Sequence, residues 1–167
     1  VDRMVSLNDI LVPGLTGCLG RAGSVNSAPL AAPVVGLWRH ACRRAIGTLR
    51  TKITEESPAI VGQNYHLVGA IAPPPLGRIQ IALHIMHPFI GAWRAAELPN
   101  GQNERVYWDP PFDPADLPEG SIVIPAELLA SRFEPERWMR EHIEDAWTDI
   151  RIHKPTTVGE LVFNYYD

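Results

Sequence analysis

NYHLVGAIAPPPLGRIQIALHIM, residues 64–86, is the stretch whose reading decides the fold. Ile79, Ile81, Leu83 and Ile85 alternate with Arg78, Gln80, Ala82, His84 and Met86. An alternation of period two belongs to a strand. Tyr65, Leu67 and Ile71 alternate with His66, Val68 and Ala70 in the same way. Between them lie Pro73, Pro74, Pro75, Leu76 and Gly77. Prolines fix φ and remove donors, so this run cannot prolong a ladder and must turn the chain. The segment therefore predicts an antiparallel hairpin. With a five-residue loop, Ile71 faces Ile79, Leu67 faces Leu83, Tyr65 faces Ile85, and His66 faces His84.

Working outward, Leu37 to Lys52 carries Trp38, Cys42, Ala45 and Leu49 at helical spacing, which predicts a helix over 37–52 packed on the sheet. Phe89 to Ala96 reads as a short helical turn carrying Trp93. Arg105–Trp108 and Ser121–Ile124 read as short strands. Helices are expected over 126–133 and 135–150, the second with the apolar stripe Met139, Ile143, Ala146, Trp147 and Ile150. The closing run, Val158 to Tyr166, alternates like a strand. Met4 to Val12 forms a short apolar piece, a strand or one helical turn. The expected fold is α+β, a small and mainly antiparallel sheet centred on the 64–86 hairpin, with one helix before it and two after it.

The chain has 167 residues, enough for one well-buried domain, and residues 1–167 are read as such. Its 16 prolines, about twice the usual share, exclude a helical bundle. Residues 1–36 form an arm rich in Gly, Ser and Pro, expected to be held in place by Leu15, Leu19, Val25 and Leu30. Asp109 to Gly120 is an acidic, proline-rich loop without the alternate ligand spacing of a calcium site. No apolar run is long enough to cross a bilayer. Leu15-Thr16-Gly17-Cys18 resembles a lipoprotein cleavage box over four residues, but Asn8 and Asp9 interrupt the apolar segment before it. Two cysteines make no disulfide scaffold. These features place the protein in the cytoplasm.

Three functional readings follow. The first rests on what is missing: no Gly-rich phosphate loop follows a strand, no nucleophile elbow is present, and the candidate nucleophile Cys42 falls on a buried helix face. That favours a non-catalytic interaction module, an adaptor or inhibitor acting by surface contact on a protein partner or on a second copy as a homodimer. It needs no cofactor. The second is a small enzyme or metal-binding protein using the cross-strand pair His66/His84. The third is nucleic-acid binding through the basic helix face Arg39, Arg43, Arg44 and Arg50. The charge is uneven, +4 over residues 1–83 and −8 over 84–167 against −4 in all, which suits a basic surface or complementary faces.

Overall fold

A computed structural model describes residues 4–12, 15–16, 28–101, 103–136 and 147–164. Among the described residues six strands form one sheet in a mixed α+β fold. Strands β1 (Ile53–Ser57), β2 (Tyr65–Ala72), β3 (Gly77–His84), β4 (Phe89–Glu97) and β5 (Asn103–Tyr107) make an antiparallel meander in chain order. β6 (Ile122–Val123) runs parallel to β4 at Phe89 and Ile90, beyond the end of β5. The described helices are α1 (Leu7–Ile10), the long α2 (Ala32–Thr48), α3 (Ala126–Ala130), α4 (Trp147–His153) and α5 (Val158–Val162).

The hairpin at the centre is β2–β3, but its register differs from the expected one. Gly77 does not belong to the loop. It pairs with Ala72 as the first residue of β3, and Pro73–Leu76 close a four-residue turn through the Leu76 N–H to Pro73 C=O bond of 3.2 Å. Gly77 stands at φ +64°, a conformation open to glycine and strained for other residues. Losing one loop residue shifts every pair by one. His66 faces Leu83, Val68 faces Ile81, Ala70 faces Ile79, and Tyr65 faces His84. The expected opposition of His66 and His84 does not occur: the two rings lie on opposite faces.

A slip of one residue normally moves apolar residues into water. Here it does not, because the sheet is covered on both sides. On one face α2 lays Val35, Trp38, Cys42 and Ile46 over Val68, Ala70, Ile79, Ile81, Leu83 and Ile90. On the other, residues from α1, Leu15 and the C-terminal helices pack on Tyr65, Leu67, Ala82, Phe89 and Trp93. Strands buried on both faces carry apolar residues at successive positions, and the alternation no longer reports register.

Several boundaries also differ. α2 begins at Ala32, not Leu37, because Pro33 sits in the first turn, where proline costs no hydrogen bond. It ends at Thr48, and Arg50 adopts a left-handed φ of 56°. Phe89–Glu97 is a strand and not a helical turn. Central pairing with β3 and β5 overrides the helix propensity of its alanines. β1 was not foreseen. Val158–Val162 is helical and not extended. Thr157 caps it by accepting from the Glu160 N–H at 3.2 Å, and Glu160 returns a carboxylate to the Thr157 N–H at 3.3 Å. Residues 137–146, the middle of the expected second C-terminal helix, lie outside the described residues, as do Cys18, Leu19, Val25 and Tyr166. Trp147–His153, overlapping the expected C-terminal end of that helix, is α4.

Two substitutions probe the two faces. Leu83 is fully buried under α2, so Leu83→Ala is expected to cost about 2–5 kcal/mol in urea unfolding. On the opposite face, a Cβ at Gly91 would run into the Phe163 ring and Leu129. Gly91→Ala is expected to cost about 1–3 kcal/mol through overpacking. An unchanged midpoint in either variant contradicts the packing of that face.

Candidate functional site

His84 is wholly buried. Its Nε2 lies 2.7 Å from the Leu15 carbonyl, while Nδ1 accepts from the backbone N–H groups of Met86 at 3.1 Å and His87 at 3.2 Å. Two N–H donors on Nδ1 fix the neutral tautomer with the proton on Nε2, which donates to Leu15. Burial pushes its pKa down to about 3; the bond to Leu15 acts the other way, and the nearby His87 adds to the depression. His84 also meets His87. β3 ends at His84, the chain bends, and the rings come to 5.3 Å between centroids. With both nitrogens engaged, His84 is a structural ring. No group of three or more His, Cys, Asp or Glu residues that could hold a metal occurs among the described residues.

The basic face of α2 is largely engaged by carboxylates. Arg43 holds Glu56 at 2.9 Å and Arg44 holds Asp116 at 3.0 Å. Arg39 stands 4.0 Å from the same Glu56 that Arg43 already binds. Arg50 lies past the end of the helix. Cys42 is buried beneath this face, and burial pushes its thiol pKa up.

The structure brings together two candidates that belonged to separate readings, His66 and Arg39. They line a pocket of about 310 Å3 with Pro29, Leu30, Val35 and Ile85. α2 contributes Val35 and Arg39. The segment before it is tied to the sheet by the Leu30 N–H to Ile85 C=O bond of 2.7 Å. From β2 comes His66, whose Nδ1 accepts the Ala59 N–H at 3.1 Å, which leaves the proton on Nε2. Its pKa is lowered, first by burial and then by the Arg39 charge. The ring lies tilted against Trp38, with centroids 6.4 Å apart. Trp38 is wholly buried, and its Nε1 donor has no acceptor among the described residues.

A second, larger cleft of about 710 Å3, which sequence reading missed, lies between β5 and the C-terminal helices. Arg105 enters it from β5 and stacks its guanidinium 4.2 Å from the Trp93 ring centroid. It also donates to the Phe163 carbonyl at 2.6 Å and to Tyr65 Oη at 3.3 Å. Glu160 is engaged by the α5 cap. Burial raises the Tyr107 pKa. The polar groups here join β5 to α5, and Arg105 works as a strut.

No known protein family, curated protein or solved structure matches this chain.

The histidines give a pH signature. An ordinary imidazole titrates near 6.5, whereas His84 holds off its proton to about 3. Between these values the unfolded chain binds a proton that the folded chain does not. Stability therefore falls as pH drops, by about 1.4 kcal/mol per unit from His84, and His66 adds in the same direction. Urea midpoints at about pH 7, 6 and 5 are expected to fall in step, and His66→Gln is expected to keep most of the slope. A flat profile contradicts the neutral, buried His84.

Proposed function

We propose that this protein is a non-catalytic recognition module that works by surface contact with another polypeptide. The observation that carries this reading is the setting of the His66–Arg39 pocket. Ala59, whose N–H is bound to His66, leads directly into Ile60 and Val61, which are 51% and 76% exposed. Large apolar side chains standing in water, one and two residues beyond the N–H that His66 binds, suit recognition better than chemistry. The pocket carries donors and an apolar wall, and among the described residues no nucleophile paired with a base lines it.

The partner is a foreign chain acting as the target of an adaptor or inhibitor. A second copy of this chain is the alternative. Nucleic-acid binding is less supported, because Arg39, Arg43 and Arg44 each lie within ion-pair distance of a carboxylate. Among the described residues no helix is long and apolar enough to cross a membrane.

Selection from a random peptide library displayed with free C-termini tests the reading. Wild-type protein is expected to enrich a sequence motif, and Val61→Asp is expected to abolish that enrichment while keeping the unfolding midpoint. No enrichment by wild type, or equal enrichment by the variant, counts against recognition at this face. Sedimentation at rising concentration separates self-association from capture of a foreign chain.

A further inference from the structure

We propose that the pocket between α2, the segment before it and His66 of β2 binds the terminal carboxylate of a peptide whose last residue is apolar. This deepens the recognition reading above and rests on it. The pocket's polar chemistry is one-sided. His66 presents an Nε2–H donor, because Nδ1 is already occupied by Ala59. Arg39 brings a guanidinium. Among the described residues the lining includes no carboxylate. A site that offers only donors selects an acceptor, and charge-assisted bonds to a carboxylate are the strongest available to it.

The charge of the ligand follows from the tautomer. His66 is neutral, so Arg39 is the one full cation among the described lining residues. That matches a singly charged anion and not a phosphate. Arg39 is also the arginine of α2 best placed to respond. Glu56 lies 2.9 Å from Arg43 but 4.0 Å from Arg39, so Arg39 can turn to a ligand while Glu56 keeps its closer partner.

The rest of the lining sets the group that bears the carboxylate. Pro29, Leu30, Val35 and Ile85 form an apolar wall next to the two donors. A volume of about 310 Å3 stands at the low end of ligand pockets, which run from roughly 300 to 1,000 Å3. It holds one side chain with its carboxylate. A C-terminal residue carries both on the same Cα, whereas an internal Asp or Glu has no apolar group of its own to fill the wall. Capture of a chain terminus is an established mode of peptide recognition. Exposed Ile60 and Val61, continuing from Ala59, offer contacts to the residues that precede the terminus. A free short-chain carboxylic acid would not use them.

The test uses the full chain and three probes: an acetylated tetrapeptide ending in leucine as the free acid, the same peptide as the C-terminal amide, and hexanoate. The acid is expected to bind, with the amide about tenfold or more weaker, since a bond to a charged group contributes about 1.5–3 kcal/mol. Arg39→Gln is expected to lower acid affinity to the level of the amide without moving the unfolding midpoint. The His66 imidazole resonances should shift with the acid alone. Equal binding of acid and amide overturns the carboxylate assignment, and does so while a motif selected by wild type and lost in Val61→Asp still upholds recognition at this face. Hexanoate binding as tight as the peptide acid overturns the peptide assignment. No binding by any probe overturns the inference, and if the display selection also fails, the recognition reading falls with it.

Discussion

Asn64 is the constraint on which the two halves of the structure depend. It is wholly buried, one residue before β2. Its Nδ2 donates to the carbonyls of Leu15 at 3.2 Å and Val162 at 2.8 Å, and its Oδ1 accepts the Asn164 N–H at 2.9 Å. Its main chain donates to Asn164 at 3.2 Å and accepts from Ile85 at 2.9 Å. One buried amide thus joins the N-terminal segment, both strands of the hairpin and the end of α5. His84 shares the Leu15 carbonyl from the far strand at 2.7 Å. Leaving such a donor or acceptor unpaired costs about 1–3 kcal/mol, so these groups allow one arrangement of four distant segments. The apolar cores fill the space on either side. The polar knot decides which segments meet there.

That knot explains how far the sequence was legible. The hairpin announced itself through the alternation of Ile79, Ile81 and Leu83, and those residues do share one buried face. Its exact register did not. An alternation constrains register only when one face meets water, and here Tyr65 and Leu67 are buried on one face and Val68 and Ala70 on the other. The deciding detail was whether Gly77 turns or pairs, and local sequence permits both. β4 was hidden for a related reason. Ala92, Ala95 and Ala96 suit a helix on propensity, and only a central place in the sheet makes a strand of them. α5 was misread because its alternating apolar residues imitate a strand; the capping pair Thr157 and Glu160 was the available sign of a helix.

The candidate site shows the same division. His66, Arg39 and the buried Cys42 were all visible as residues. Pairing His66 with His84 was a deduction from register and failed with it. What replaced it, His66 beside Arg39, arises from the packing of α2 across β2, a tertiary relation that no spacing encodes. The exposed Ile60 and Val61 left a faint sequence signal, two β-branched residues between Pro58 and Gly62, which strand-like composition concealed.

α2 then serves two purposes, and the charges on it separate them. Its inner stripe of Val35, Trp38, Cys42 and Ile46 closes one core, which holds the helix rigid against the sheet. Its outer arginines meet the acidic residues that follow. Arg44 binds Asp116, in the 3-10 turn Pro114–Asp116 of the acidic loop, so part of the charge difference between the halves of the chain is answered internally. Exposed pairs of this kind contribute only about 0–1 kcal/mol each to stability. Their larger consequence is for the surface potential: they remove charge from the outward side of the helix at Arg43 and Arg44. Arg39, sharing a carboxylate that its neighbour holds more closely, keeps the most freedom, and it is the arginine that lines the pocket. The core clamps the backbone that bears Arg39 while its side chain keeps room to turn, so a ligand there would have only side-chain freedom left to order. The interactions that fold α2 onto the sheet are therefore also those that bring Arg39 and His66 into one pocket.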